Sequence, residues 1–151
     1  MAYPDRAVQS IYYILINSLS LLTPIRQPYY GQAIAQCLVS EYLLKYFPYE
    51  DLVIYEIGAG NGTLALNILD FLKEAYPAVY ERTRYHIIEI SPHLAEIQRN
   101  ALLSHPMVDV YNQDVFQWKQ KVLEPCFFLA MEVVVRTMLT APVFSLIFYL
   151  G

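Results

Sequence analysis

The chain has 151 residues, 56% of them apolar and 16% charged, with a formal net charge of −4. That length makes one domain the expectation, and the acidic balance gives no general basic footprint for nucleic acid. The apolar fraction lies above the usual range for a globular chain and suits a buried parallel sheet.

Residues 1–30 mix apolar runs with Pro4, Pro24 and Pro28 and read as an irregular lead-in with one helix. The apolar stretches at 11–22 and 138–150 are broken by Asn17 and Ser18 and by Pro142. Each is shorter than the roughly 20 residues a spanning helix needs, so no membrane span is expected. Asp5 beside Arg6, with no small-residue cleavage site, does not read as a secretory signal. Nor is the stretch Arg-rich and acid-poor, so it gives no clear mitochondrial presequence.

A helix is predicted over 31–47, closed by Pro48, with Ile34, Leu38 and Tyr42 near helical spacing. Leu52–Ile57 reads as the first strand. A helix begins at Asn61 or Gly62, carries the stripe Leu64, Ala65, Ile68, Leu69 and Leu72, and ends at Pro77. A second strand follows over 85–90. Ser91 and Pro92 then make a good N-cap and first helical residue for a helix running to His105 and Pro106. A third strand is predicted over 107–111, a loop from Asp114 to Trp118, and a fourth, very apolar strand over 126–131. Strands alternating with helices imply βαβ units, a parallel sheet and right-handed crossovers. Ligands bind such sheets beyond the carboxyl ends of the strands, where strand order reverses. Cys37 and Cys126 lack CxxC spacing and read as small buried hydrophobes of a reducing compartment. His86, His93 and His105 show no ligand spacing, so no metal site is expected.

The chemistry gathers after the strands. Tyr55-Glu56-Ile57-Gly58-Ala59-Gly60-Asn61-Gly62-Thr63 puts a carboxylate two residues before a glycine-alternating turn. In a strand buried on both faces a charge is costly unless paired, so Glu56 either lies at the open strand end or has a partner. Glu89, Asp114 and Glu132 occupy the matching positions after the later strands. Glu56 suits a ligand's ammonium through a charge-assisted bond. Glu89 suits two ribose hydroxyls, as an acid after the second strand does for dinucleotides. Asp114 suits an adenine amino group, with Val115 or Phe116 against the ring, and the helix start near Asn61 suits a carboxylate. Glu132 lies nearer the transferable group and is the candidate for holding substrate. The glycines alone leave a nicotinamide or flavin site open, because Gly60-x-Gly62-x-x-Ala65 satisfies the looser GxGxxA form. A pyrophosphate would be repelled by Glu56, which favours S-adenosylmethionine, a cationic donor.

These residues resemble the class I S-adenosylmethionine-dependent methyltransferases. More narrowly, the chain is similar to the mitochondrial protein-arginine methyltransferase family that assists assembly of respiratory complex I, in its fungal form. The resemblance rests on 55–64, on Ile87-Ile88-Glu89-Ile90-Ser91-Pro92 with Leu94 and Ile97-Gln98, and on 124–133. It implies a Rossmann-like α/β fold and donor binding by Glu56, Gly58, Gly60, Gly62, Glu89 and Asp114. It also implies methyl transfer to a protein arginine, with a complex I subunit as client, Glu132 orienting the guanidinium, and a mitochondrial location; a cytoplasmic one stays open. The chain departs from the family's pattern ahead of the first strand and after Glu132, where Val133-Val134-Val135-Arg136-Thr137 leads into an apolar tail. The expected organisation is a lead-in over 1–30, a donor-binding domain over 31–133 and an atypical tail over 134–151. About four strands of a seven-stranded fold are expected. A fragment or pseudoenzyme acting only by association is the competing reading.

Overall fold

The structure, a computed structural model, describes the backbone of residues 12–14 and residues 29–119, 122 and 124–130. Among these, the elements are β1 (Tyr12–Ile14), α1 (Tyr29–Lys45), β2 (Leu52–Ile57), α2 (Thr63–Ala75) and α3 (Pro77–Tyr80), followed by β3 (Thr83–Glu89), α4 (Pro92–Ala101), β4 (Val108–Asn112), a 3₁₀ turn (Val115–Gln117) and β5 (Cys126–Ala130). The five strands form one sheet in the order β1-β5-β2-β3-β4, and every pairing is parallel. The chain steps outward from β2 to β3 to β4, then returns to the other side of β2 as β5. Strand order therefore reverses at β2, and the glycine turn leaves that strand's carboxyl end. This α/β architecture is the one expected.

Alternation along the strands sorts the two faces. Leu52 and Ile54 of β2, Tyr85 and Ile87 of β3, and Phe127 and Leu129 of β5 join one core with α1 and α2, which contribute Leu38, Tyr42, Ile68 and Leu72. Their partners in alternation, Val53, Tyr55, Ile88, Cys126 and Phe128, pack on the other face with Val115, Trp118 and Val122. Helices α1 and α2 cross closely: a Cβ on Gly31 would lie 2.5 Å from Cβ of Asn67. His105, buried at the far end of α4, ties the layer together. Its ring nitrogens meet the Tyr80 hydroxyl at 2.8 Å and Asp70 at 3.1 Å.

Three elements differ from expectation. The lead-in supplies an unpredicted strand, Tyr12–Ile14, running parallel to β5, and the helix read into it lies outside the described residues. Tyr and Ile fit a pleated sheet well, and β5 has an edge to be paired. The four predicted strands are all present as β2 to β5, and β1 joins them at the edge. Pro77 does not only end α2: it is the first residue of α3, where proline's fixed φ and missing N–H cost nothing. The second strand begins at Thr83, two residues before its predicted start, because Leu52 N–H reaches Arg82 O at 3.1 Å and extends the ladder downward. Met131, and the tail expected over 134–151, lie outside the described residues. No described helix is long and apolar enough to cross a membrane.

Candidate functional site

The glycine turn is built by the ladder it leaves. Gly58 N–H donates to Ile88 O at 3.0 Å, the last β2–β3 bond, and Gly62 N–H donates to Ala59 O at 2.9 Å. Gly58, Gly60 and Gly62 have φ of 68°, 56° and 81°, in the left-handed region that disfavours side chains. A Cβ on Gly60 would meet nothing within 4 Å, so this side of the turn is open. Gly62 is the N-cap of α2, which has neither a side-chain cap nor an acidic residue in its first turn. Its leading N–H groups and positive dipole end are left for an external acceptor.

Glu56 lies one residue before the end of β2 and is only 2% exposed. Its Oε2 accepts from the Tyr85 hydroxyl at 2.7 Å across the β2–β3 ladder. Burial pushes its carboxyl up to about 7, partly opposed by the Tyr85 bond, and burial beside Glu56 holds the Tyr85 phenol well above its ordinary value. Of the two alternatives for Glu56, the structure supplies a partner. That partner is a neutral phenol rather than a cation.

Glu89 ends β3 on the same sheet face and is also buried. Its Oε1 accepts from Ser91 N–H at 2.9 Å, and its Oε2 from Gln98 Nε2 at 3.0 Å. Each oxygen has one lone pair engaged and one left over. Ser91 caps α4 as expected, with Oγ accepting from Leu94 N–H at 3.3 Å. Asn112 of β4 donates to the carbonyls of Glu89 and Ile90 at 2.8 and 3.2 Å, fixing the strand end.

Asp114 follows β4 by two residues. It caps the 3₁₀ turn, accepting from Phe116 N–H at 2.9 Å through Oδ1. Of the two residues offered for a ring contact, Val115 packs on the sheet face, whereas Phe116 is exposed. Glu132 lies outside the described residues. Glu56, Glu89, the glycine turn and Asp114 therefore gather at the carboxyl ends of adjacent strands. Among the described residues no Lys, Arg or His pairs with any of the three carboxylates. No described cluster of His, Cys, Asp and Glu is arranged to hold a metal ion.

Two members of the site escaped sequence reasoning. Tyr85 looks like an ordinary strand aromatic, and only the alternation that puts it on the Glu56 face marks it. Gln98 lies with Ala95 and Leu102 on the buried face of α4, one position round from the Leu94, Ile97 and Ala101 stripe, so the apolar pattern of the helix did not mark it.

Residues 33–135 match the family described as "Putative S-adenosyl-L-methionine-dependent methyltransferase". The chain is 35% identical over 111 residues to "Protein arginine methyltransferase NDUFAF7 homolog, mitochondrial" of Schizosaccharomyces pombe, covering 70% of this chain and 24% of that protein. Among solved structures, the citrinin polyketide synthase CMeT domain superposes with a TM-score of 0.56 at 24% identity, covering 70% of this chain and 27% of that one. A Burkholderia thailandensis protein, solved with S-adenosyl-homocysteine bound, superposes with a TM-score of 0.53 at 23% identity, covering 70% of this chain and 25% of that one. At these identities the structural matches show a shared fold. The chain spans about a quarter of the length of the curated relative it matches.

Proposed function

The chain belongs to a family of S-adenosyl-L-methionine-dependent methyltransferases, and from that premise we propose that it binds this donor at the carboxyl ends of β2, β3 and β4 and serves protein-arginine methylation in mitochondria. One observation carries the donor site: three carboxylates stand at or just past the carboxyl ends of the adjacent strands β2, β3 and β4, where the open glycine turn leaves β2, with no protein cation paired to them among the described residues. A cationic ligand supplies the missing charge, and a pyrophosphate would add to the repulsion.

The residues present fit the donor. The free lone pairs of Glu89 suit vicinal ribose hydroxyls, and the uncapped start of α2 suits the carboxylate of the methionine moiety. Glu56, when ionised, complements the ammonium group. Asp114 suits the adenine amine. When bound, the donor supplies an electrophilic methyl group on sulfonium. The chain's part is to align and desolvate, and for a direct displacement positioning carries most of the rate.

The acceptor half rests on the sequence similarity to the fission-yeast arginine methyltransferase and on the resemblance of 124–133. A protein arginine is the proposed acceptor and a complex I subunit the proposed client. Glu132 would orient the guanidinium through paired hydrogen bonds. Incubation with donor tritiated on its methyl group and mitochondrial protein extract tests this, with label expected in protein arginine. Donor binding without arginine label overturns the acceptor half; absence of donor binding overturns both.

A further inference from the structure

We propose that Gln98 is a positioning residue for the donor's ribose, its amide locking the glycine turn and the Glu89 carboxylate into one rigid unit. The inference rests on the donor site proposed above. Gln98 is completely buried on α4. Its Nε2 uses both protons: one goes to Gly60 O at 2.8 Å, the other to Glu89 Oε2 at 3.0 Å. One side chain thus joins the turn after β2 to the acid at the end of β3. Helix α4 is seated for this, since a Cβ on Gly62 would be 3.6 Å from both Cα and Cγ of Gln98.

The second observation is the other end of the same amide. Gln98 Oε1 is buried with no hydrogen-bond partner among the described residues. A leucine or methionine would fill this helix position with no such orphan, and buried polar atoms are normally satisfied. The amide is therefore kept for its two N–H donors. Those donors act on the two parts of the site that face the ribose and the open side of the turn. Drawing the Gly60 carbonyl toward α4 leaves the opposite side of Gly60 clear. Holding Oε2 from one side, while Ser91 N–H holds Oε1, presents the remaining lone pairs as a fixed pair.

Gln98→Met keeps the volume and removes both donors. Two titrations test it, with adenosylhomocysteine and with its 2′-deoxyribose analogue. Wild-type protein is expected to prefer the ribose ligand by about tenfold or more, the worth of a hydrogen bond to a charged acceptor. The variant is expected to lose most of that preference while holding the deoxy ligand within about threefold of wild type. Equal weakening toward both ligands would mark a merely structural role and overturn the proposal. A ligand-free measurement separates this from failure of the site itself. Amide exchange at Gly62 should rise by roughly tenfold in Gln98→Met, with the core of β2 unchanged. Unchanged exchange at Gly62 overturns the lock whether or not ligand binds, whereas a wild-type chain that binds neither ligand overturns the donor site. Gln98→Asn, one carbon too short to span both acceptors, is the second variant should methionine prevent folding, and the same direction is expected.

Discussion

A buried carboxyl that titrates near neutrality is the most consequential single group in this chain. Glu56 is pushed up to about 7 by burial, from an ordinary value of 4.5. The folded state therefore holds this proton more tightly than the unfolded chain does. The stability linked to it is fully present below the unfolded value and is lost as pH rises to the folded one. The difference amounts to about 3 kcal/mol. Glu56→Gln removes that dependence. Urea unfolding should show the variant gaining on wild type by up to this amount between pH 4.5 and pH 8. Donor binding should move the other way. Only the ionised acid complements an ammonium, so wild-type affinity for adenosylhomocysteine should fall about tenfold from pH 8 to pH 6, and the variant should bind weakly at both. The carboxylates themselves were legible, because acids standing after apolar strands break a strong pattern. Their holders were not. Tyr85 and Gln98 act across 29 and 9 residues of sequence, and nothing local announces such a pairing.

Helix α4 shows what is legible at the scale of an element. Ser91 followed by Pro92 predicts its start, and the structure puts Ser91 in an extended conformation with Oγ accepting from Leu94 N–H. Ser91→Ala should cost about 1 kcal/mol by denaturant unfolding, the usual worth of a cap. Ser91 N–H would still reach Glu89, because that bond uses backbone, so donor affinity should fall far less than in Gln98→Met. Other boundaries were set by longer-range forces. Pro77 reads as a stop from its neighbours alone, yet it opens a one-turn helix ending in Tyr80, whose hydroxyl meets His105 from beyond α4. The three residues of β1 are too few for any period to show, and their conformation follows from the edge that β5 offers.

At the scale of the whole molecule, the order β1-β5-β2-β3-β4 accounts for where the chemistry lies. In open parallel sheets ligands bind at the strand ends where the order reverses, and in this chain the glycine turn leaves β2 at that reversal, with Glu89 ending the neighbouring strand. The parallel sheet was legible because βαβ units leave few alternatives, whereas the place of β5 beside β2 and the added strand β1 were not. The sequence similarity to a fission-yeast arginine methyltransferase covers about a quarter of that protein, and the described part of this chain holds the residues of the proposed donor site. Donor binding is accordingly the claim on which the rest depends. Isothermal titration of the folded chain with adenosylhomocysteine at pH 8 tests it most directly. The account predicts one-site binding that weakens at least tenfold, by roughly the worth of hydrogen bonds to a charged group, in Glu89→Ala. A folded chain that gives no heat, or that binds the ligand equally well without the Glu89 carboxylate, would contradict it.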